Sequence, residues 1–298
     1  MVGGDRINQE IKLKYFPCAK INLGLNVVAR RNDGYHNLET VFFPVDIHDE
    51  LDVNISGEKG CHLEVEGVKE LCSPEQNLVV KAYNLLNEKY NLPGITVRLT
   101  KRIPSQAGMG GGSSDGAYMI RALNELCSLG LPVAEMQRMA ANLGADCPFF
   151  ITAETAYAEG IGERLTPINF DGNKLFEEYY LVLIKPDVAV STKEAYAGIT
   201  PHESSKNCRE IVETLEIGEW KNCLVNDFED SIFPKLPILK EVKLALYEAG
   251  AVYASMSGSG STIYGIFPRE TDCNIVIKNK KISQYANKYY FKVIEKQK

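Results

Sequence analysis

Glycine fills four of the five positions from Gly108 to Gly112, and the run Gly108-Met-Gly-Gly-Gly-Ser-Ser114 opens directly onto an apolar-periodic segment. Such a run, placed after a strand and before a helix, gathers backbone N–H groups with no Cβ in the way. The helix dipole adds partial positive charge, so a phosphate is the natural occupant. A flexible turn is the plainer alternative; four glycines followed by two serines favour the phosphate. The pattern is not a Walker A loop, because no lysine follows these glycines. It is not a Rossmann fingerprint either, since Ser113 stands where the third glycine should be.

Other residues bear chemistry less plainly. Asp146 sits on a short connection between a helical segment and Pro148. A carboxylate there can take a proton from a hydroxyl, although by residue type alone it reads more readily as a turn residue before a strand. Lys20 follows the Pro17 bend at the start of a strand, where a lysine is more often a solvated end residue. Tyr35 and His36 follow the Arg31-Asn-Asp-Gly34 turn and are as readily a bare hairpin-tip pair as a ligand platform. A second Gly/Ser loop, Ser257-Gly-Ser-Gly-Ser-Thr262, is either a substrate support or a tight strand-to-strand loop. The four histidines, His36, His48, His62 and His202, have no metal-ligand spacing.

These residues need elements to hold them. Alternation predicts strands over Ile11–Phe16 and Lys20–Ala29, the latter with Ile21, Leu23, Leu25 and Val27 on one face and Asn22, Gly24 and Asn26 on the other. Further strands are expected at Thr40–Ile47, Leu51–Ile55, Ile95–Thr100, Tyr180–Lys185, Ala251–Ser255 and Ile263–Phe267. Helical spacing marks Asn77–Tyr90, Ser113–Cys127 with Asp115 or a neighbouring serine as cap, Val133–Leu143 and Lys235–Ala249. Asn169-Phe-Asp-Gly-Asn173 is the best boundary by turn residues. Helix and strand without strict alternation favour an α+β protein in two domains.

Composition narrows the function. A chain of 298 residues has length for two medium domains, and 45% hydrophobic with 24% charged residues is an ordinary globular balance. With 33 Lys+Arg against 39 Asp+Glu the net charge is −6, and no polybasic run argues for nucleic-acid binding. The eight cysteines, at 18, 61, 72, 127, 147, 208, 223 and 273, form no Cys-x-x-Cys pair. Reduced, mostly core thiols of a cytoplasmic protein are the expectation, rather than four disulfides. The N-terminus has no apolar targeting stretch, and no window approaches the roughly 20 apolar residues that cross a bilayer.

The stretch Pro104-Ser-Gln-Ala-Gly-Met-Gly-Gly-Gly-Ser-Ser114 resembles the nucleotide-binding loop of the GHMP small-molecule kinases, with Met109 where leucine is usual. Pro17-Cys-Ala-Lys-Ile-Asn-Leu23 with Asp33-Gly-Tyr-His36, Gly144-Ala-Asp-Cys-Pro148, Ala158-Glu-Gly-Ile-Gly-Glu163 and Ser257-Gly-Ser-Gly260 narrow the resemblance. They point to the branch that phosphorylates a cytidine-diphosphate-linked methylerythritol in the non-mevalonate isoprenoid pathway. The likeness runs from about Tyr15 to Phe267.

The resemblance implies an α+β, two-domain GHMP kinase fold. Residues 1–170 would form the N-terminal, ribosomal-protein-S5-like ATP-binding domain and 171–298 a C-terminal α/β sandwich domain, with the active site in the cleft between them. It implies ATP-dependent phosphorylation of the substrate's 2-hydroxyl, with Asp146 as base assisted by Lys20. The nucleotide would be held by Pro104, Ser105, Gln106, Ala107, Gly108, Met109, Gly110, Gly111, Gly112, Ser113 and Ser114, with Asn77 and Lys101 lining the adenosine pocket. The substrate would meet Asn22, Tyr35, His36, Thr192 and Tyr196, the last standing where phenylalanine is common. Tyr35 would stack on cytosine while His36 reads its polar edge, since stacking alone selects no base. Mg²⁺ is expected with ATP, its ligands unassigned apart from Ser114 as a candidate. The partner is a small molecule, with no nucleic acid or membrane, and the chain a monomer or homodimer. Two other readings remain: a mevalonate or homoserine kinase, which should lack Asp33–His36, and a noncatalytic nucleotide-binding protein, which would need neither Lys20 nor Asp146.

Overall fold

The computed structural model describes residues 12–67, 73–202, 206–286 and 290–295, so Met1–Glu10, Ile11 and Cys72 lie outside the described residues. The first half of the chain carries β1 (Lys12–Tyr15), β2 (Cys18–Arg30), β3 (His36–His48), β4 (Glu50–Ile55), β5 (Cys61–Glu66), α1 (Leu78–Tyr90), β6 (Ile95–Thr100), α2 (Gly111–Leu126) and α3 (Val133–Ala141). There follow β7 (Ala156–Gly160), β8 (Arg164–Pro167), α4 (Gly172–Glu178), β9 (Tyr179–Lys185), α5 (Thr192–Ala197), α6 (Cys208–Thr214) and α7 (Phe228–Ile232). The chain continues through α8 (Pro237–Glu248), β10 (Tyr253–Met256), β11 (Ile263–Pro268), α9 (Cys273–Lys278), α10 (Lys280–Ala286) and β12 (Tyr290–Ile294). The mixture is α+β, as expected.

Two compact units result, each from separate stretches. The first takes the chain up to Pro17, His48–Arg102 and Gly112–Ile151; the second takes Cys18–Ile47, Ile103–Gly111 and Thr152 onward.

In the first unit the sheet order is β1-β4-β6-β5. β5 and β6 run parallel, with Cys61 opposite Ile95, and α1 makes the crossover that parallel strands require. The alternation of β4 and β6 buries Leu51, Val53, Ile95, Val97 and Leu99. β5 escaped the pattern reading because its alternation, Cys-His-Leu-Glu-Val-Glu, is short and its outward positions are His and two Glu. Asn77 caps α1 by accepting from the Val79 N–H at 2.9 Å. Asn91, in the left-handed region at φ 47°, ends it before Pro93. α2 starts at Gly111, so Asp115 lies inside the helix and is not its cap; the carboxylate bonds Lys101 instead.

The second unit holds two four-stranded sheets, β2-β3-β7-β8 and β10-β11-β9-β12. β2 is buried through Val27, the face that carries Asn22, Gly24 and Asn26 included. Ile21 and Leu23 join one apolar cluster and Leu25 and Val27 another, while Lys20, Asn22 and Asn26 are buried with polar partners. Trp220 is fully buried, donates from Nε1 to the Leu215 carbonyl at 3.2 Å and meets Tyr253 edge-on at 5.6 Å. The seven described cysteines are free, and among the described residues no helix is long and apolar enough to cross a membrane.

Removal of the Trp220 indole opens the cluster that backs β2. Trp220→Ala should lower unfolding stability by about 3–5 kcal/mol, measured by urea denaturation; a change under about 1 kcal/mol would show that the cluster does not depend on it.

Candidate active site

The glycine loop is held from three sides within the second unit. Gln106, Gly108 and Gly110 have φ values of 51°, 71° and 69°. A Cβ on Gly108 would lie 1.9 Å from the Ser257 carbonyl oxygen, so both backbone conformation and space demand glycine there. Three consecutive carbonyls find partners: the Thr262 N–H donates to Ala107 at 3.2 Å and the Lys20 N–H to Met109 at 3.0 Å. The Ser257 hydroxyl donates to Gly108 at 2.9 Å. Met109 is buried in the same apolar cluster as Ile21 and Leu23, which anchors the loop at that point. The loop Ser257–Ser261 thus braces the glycine loop, beyond being a tight connection.

Lys20 is 3% exposed and lies over the Phe42 ring at 4.9 Å. Its ammonium donates to Asn22 Oδ1 at 2.6 Å; Asn22 Nδ2 donates to Thr40 Oγ1 at 2.9 Å, and the Thr40 hydroxyl to the Gly24 carbonyl at 2.5 Å. That chain of donors fixes the orientation of the Asn22 amide and anchors the lysine head. The Asn22 backbone is also tied, its N–H donating to Ser257 Oγ at 3.3 Å and its carbonyl accepting from the Tyr264 hydroxyl at 2.8 Å. Lys20, Asn22 and the loop from Pro104 to Gly111 therefore share one hydrogen-bonded framework.

The remaining residues expected at the nucleotide, and Asp146, belong to the first unit. Ser113 and Ser114 occupy the first turn of α2. Ser114 is fully buried and its hydroxyl has no hydrogen-bond partner. Asp146 is half-buried on the connection between α3 and the short 3₁₀ turn Cys147–Ile151. Burial pushes its neighbour, the Cys147 thiol, up to about 12, although the Ser113 hydroxyl bonds it, so that sulfur is no nucleophile near neutral pH. Asn77 spends its amide oxygen on the α1 cap. Lys101 donates to Asp115 at 2.6 Å and also bonds Asp49, whose other oxygen accepts the Arg102 N–H at 2.5 Å.

Of the residues expected at the substrate, His36 and Tyr196 stack directly, ring centroids 4.8 Å apart and 16° from parallel; Phe228 meets Tyr196 edge-on at 4.8 Å. A base cannot enter between His36 and Tyr196 without parting them. Tyr35, 61% exposed at the hairpin tip, has its N–H bonded to Asp33 Oδ1 at 3.1 Å. Thr192 Oγ1 lies 3.3 Å from Ser259 Oγ, which joins α5 to the bracing loop.

Sequence reasoning missed Thr40, Asp49, Asn226 and Glu229. Each is a polar residue whose partners lie far along the chain, and nothing in its local pattern distinguishes it from a surface residue.

Comparison with known proteins settles the family. The model "GHMP kinases N terminal domain" matches residues 77–154 and "GHMP kinases C terminal" matches 209–279. A 4-diphosphocytidyl-2-C-methyl-D-erythritol kinase of Bacteroides thetaiotaomicron is 49% identical over 86% of this chain and 92% of its own length. The protein of that name from Parabacteroides distasonis is 45% identical over the same shares. The chain belongs to the 4-diphosphocytidyl-2-C-methyl-D-erythritol kinase family of GHMP kinases. It is a small-molecule kinase, and as a GHMP kinase it uses ATP. A solved 4-(cytidine 5'-diphospho)-2C-methyl-D-erythritol kinase is 31% identical, with a TM-score of 0.77 over 95% of this chain and 98% of that one. A homoserine kinase from Cytophaga hutchinsonii, 19% identical with a TM-score of 0.66 over 98% of this chain and 96% of that one, shares the fold.

The Lys101 cluster has a pH signature. Burial, and the like charge of Asp49, push the Asp115 carboxyl well above its usual range against the pull of Lys101. The folded state then keeps a proton that the unfolded chain releases near pH 3.8, so stability falls as pH rises above that value. Asp115→Asn should flatten this decline in denaturation midpoints above about pH 4, whereas Lys101→Met should destabilise by about 3–5 kcal/mol by removing the cation that Asp49 and Asp115 share. An Asp115→Asn profile parallel to wild type refutes the assignment.

Proposed function

We propose that this kinase transfers the γ-phosphoryl group of ATP to the 2-hydroxyl of 4-diphosphocytidyl-2-C-methyl-D-erythritol, in the cytoplasm and in the non-mevalonate route to isoprenoid precursors. The observation that carries the reading is similarity of 45–49% to kinases of that name along 86% of the chain.

Phosphoryl transfer through a loose transition state asks the protein for positioning and charge compensation more than for covalent chemistry. In this proposal the N–H groups of the glycine loop, from Gly108 to Ser114, hold the ATP phosphates, supported by the loop's left-handed glycines and by its tethered carbonyls. Asp146 accepts the proton of the substrate hydroxyl as its oxygen attacks phosphorus. Lys20 offsets charge on the transferring group, and Asn22, by accepting from Lys20 Nζ, limits where that charge can sit. Asn77 and Lys101 are assigned to the adenosine side, and Tyr35, His36, Thr192 and Tyr196 to the cytidine side. The stacked His36 and Tyr196 rings support one preformed aromatic wall, against which Tyr35 would close from the other face of the base.

Mg²⁺ would neutralise the phosphate oxygens when bound with ATP. The unpartnered Ser114 hydroxyl fits an oxygen ligand for it. Among the described residues no group of three or more His, Cys, Asp and Glu is placed to hold a metal. The division into an ATP-binding domain, 1–170, and a C-terminal domain, 171–298, belongs to the same proposal, supported by family models that match on either side of residue 170.

ADP formation should appear with 4-diphosphocytidyl-2-C-methyl-D-erythritol and not with mevalonate or homoserine; the reverse places the chain elsewhere among GHMP kinases. Lys20→Ala and Asp146→Ala should fold with wild-type circular dichroism yet lose about 10²–10⁴ in kcat. Wild-type turnover in either variant removes that residue from the mechanism.

A further inference from the structure

The four residues Asn226-Asp-Phe-Glu229 lie outside every motif that led to the family, yet they touch most of the second unit's functional framework. Asn226 is 3% exposed. Its Nδ2 donates to the carbonyls of Met256 and Gly258 at 2.7 and 2.9 Å, and its Oδ1 accepts the Phe228 N–H at 3.0 Å. Both amide N–H groups and the amide oxygen are thereby committed to one backbone arrangement. Glu229 Oε1 accepts from the Met256 N–H at 2.8 Å and the Ser255 hydroxyl at 3.0 Å, while Oε2 accepts from Lys243 at 2.5 Å. Both side chains therefore grip the stretch that leads into Ser257.

The same segment grips β2. The Leu25 N–H donates to the Val225 carbonyl at 2.8 Å and the Asp227 N–H to the Leu25 carbonyl at 2.9 Å. Asp227 Oδ2 accepts the Val27 N–H at 2.7 Å. β2 is the strand that carries Lys20 and Asn22. Ser257, the residue between the two carbonyls that Asn226 bonds, donates its hydroxyl to the Gly108 carbonyl and accepts the Asn22 N–H.

We infer that Asn226 is a positioning residue for the phosphoryl-transfer reaction: it sets the Ser257 backbone, and through the Ser257 hydroxyl it holds the phosphate loop at Gly108 in register with the strand that bears Lys20. Glu229 secures the other side of the same stretch. Neither residue touches ATP in this assignment, and the inference rests on the proposed reading of the glycine loop as the ATP site. A purely structural Asn226 would affect folding without affecting how the folded enzyme handles ATP.

The test compares wild type, Asn226→Ala, Ser257→Ala and the double variant, each full-length and well below its own unfolding temperature. ATP binding is followed by calorimetry and turnover by ADP release. If the wild type neither binds ATP nor forms ADP with the cytidylylated substrate, the functional reading itself fails. With a competent wild type, Asn226→Ala should weaken ATP binding and lower kcat/KM by about tenfold, with KM for the cytidylylated substrate changed by less than about threefold. Ser257→Ala should give the same defect, and the double variant should be no worse than the more severe single variant, because both cut one chain of contacts. Where Asn226→Ala does not fold, Asn226→Asp serves, since it keeps the shape and the acceptor for Phe228 but loses both donations. ATP affinity and kcat within about twofold of wild type in a folded but less stable Asn226 variant, or additive defects in the double variant, would overturn the inference.

Discussion

The second unit is organised around one demand: a loop with left-handed residues at Gln106, Gly108 and Gly110 must stay in a single conformation. Left-handed backbone is costly for ordinary residues and loosely constrained for glycine, so it persists only where the surroundings over-determine it. Here the surroundings are the Lys20 N–H, the Thr262 N–H and the Ser257 hydroxyl, one on each of three consecutive carbonyls. Each of those donors is itself fixed, by β2, by the end of the second Gly/Ser loop and by the grip of Asn226 and Glu229. An anion site of backbone N–H groups needs this tethering more than it needs charged side chains, because preorganised dipoles pay no reorganisation on binding.

The same reasoning reconciles a net charge of −6 with the use of ATP. Bulk charge measures solubility and nonspecific attraction, not a local field. The relevant positive groups are few, and their neighbours position them individually. Lys20 is anchored through Asn22 and Thr40, whereas Lys101 is compensated by two buried carboxylates. Two lysines of identical type thus sit in different networks, one joined to the Asn22 amide and the other held between two carboxyl groups, and composition cannot distinguish them.

Much of the local structure was legible. The alternation in β4 and β6, the apolar runs of β9 and β11 and the helical spacing from Asn77 to Tyr90 are short-range signals, and the strands and helix they announced are present. What failed did so for long-range reasons. The burial of the polar Asn22 and Asn26 in β2 depends on hydrogen bonds to Thr40 and Glu39 on the next strand, which no local pattern announces. Asp115 looked like a cap because it stands near a helix start; the Lys101 ammonium, fourteen residues away, drew the carboxylate into the helix interior instead. The short helices α4 to α7 had no periodicity long enough to read, and packing rather than propensity maintains them.

The sequence by itself determined the family, because several motifs in order are a pattern that few folds share, and it determined where glycine must replace any side chain. Tertiary structure alone decided what those motifs do for one another. That Ser257 braces Gly108, that Asn226 sets Ser257, and that His36 lies flat on Tyr196 are relations between residues separated by tens to hundreds of positions. Hydrogen bonds and ring contacts form only within a few ångströms. No local pattern encodes such pairings, and they come into being when the sheets of the second unit close around the strand that carries Lys20.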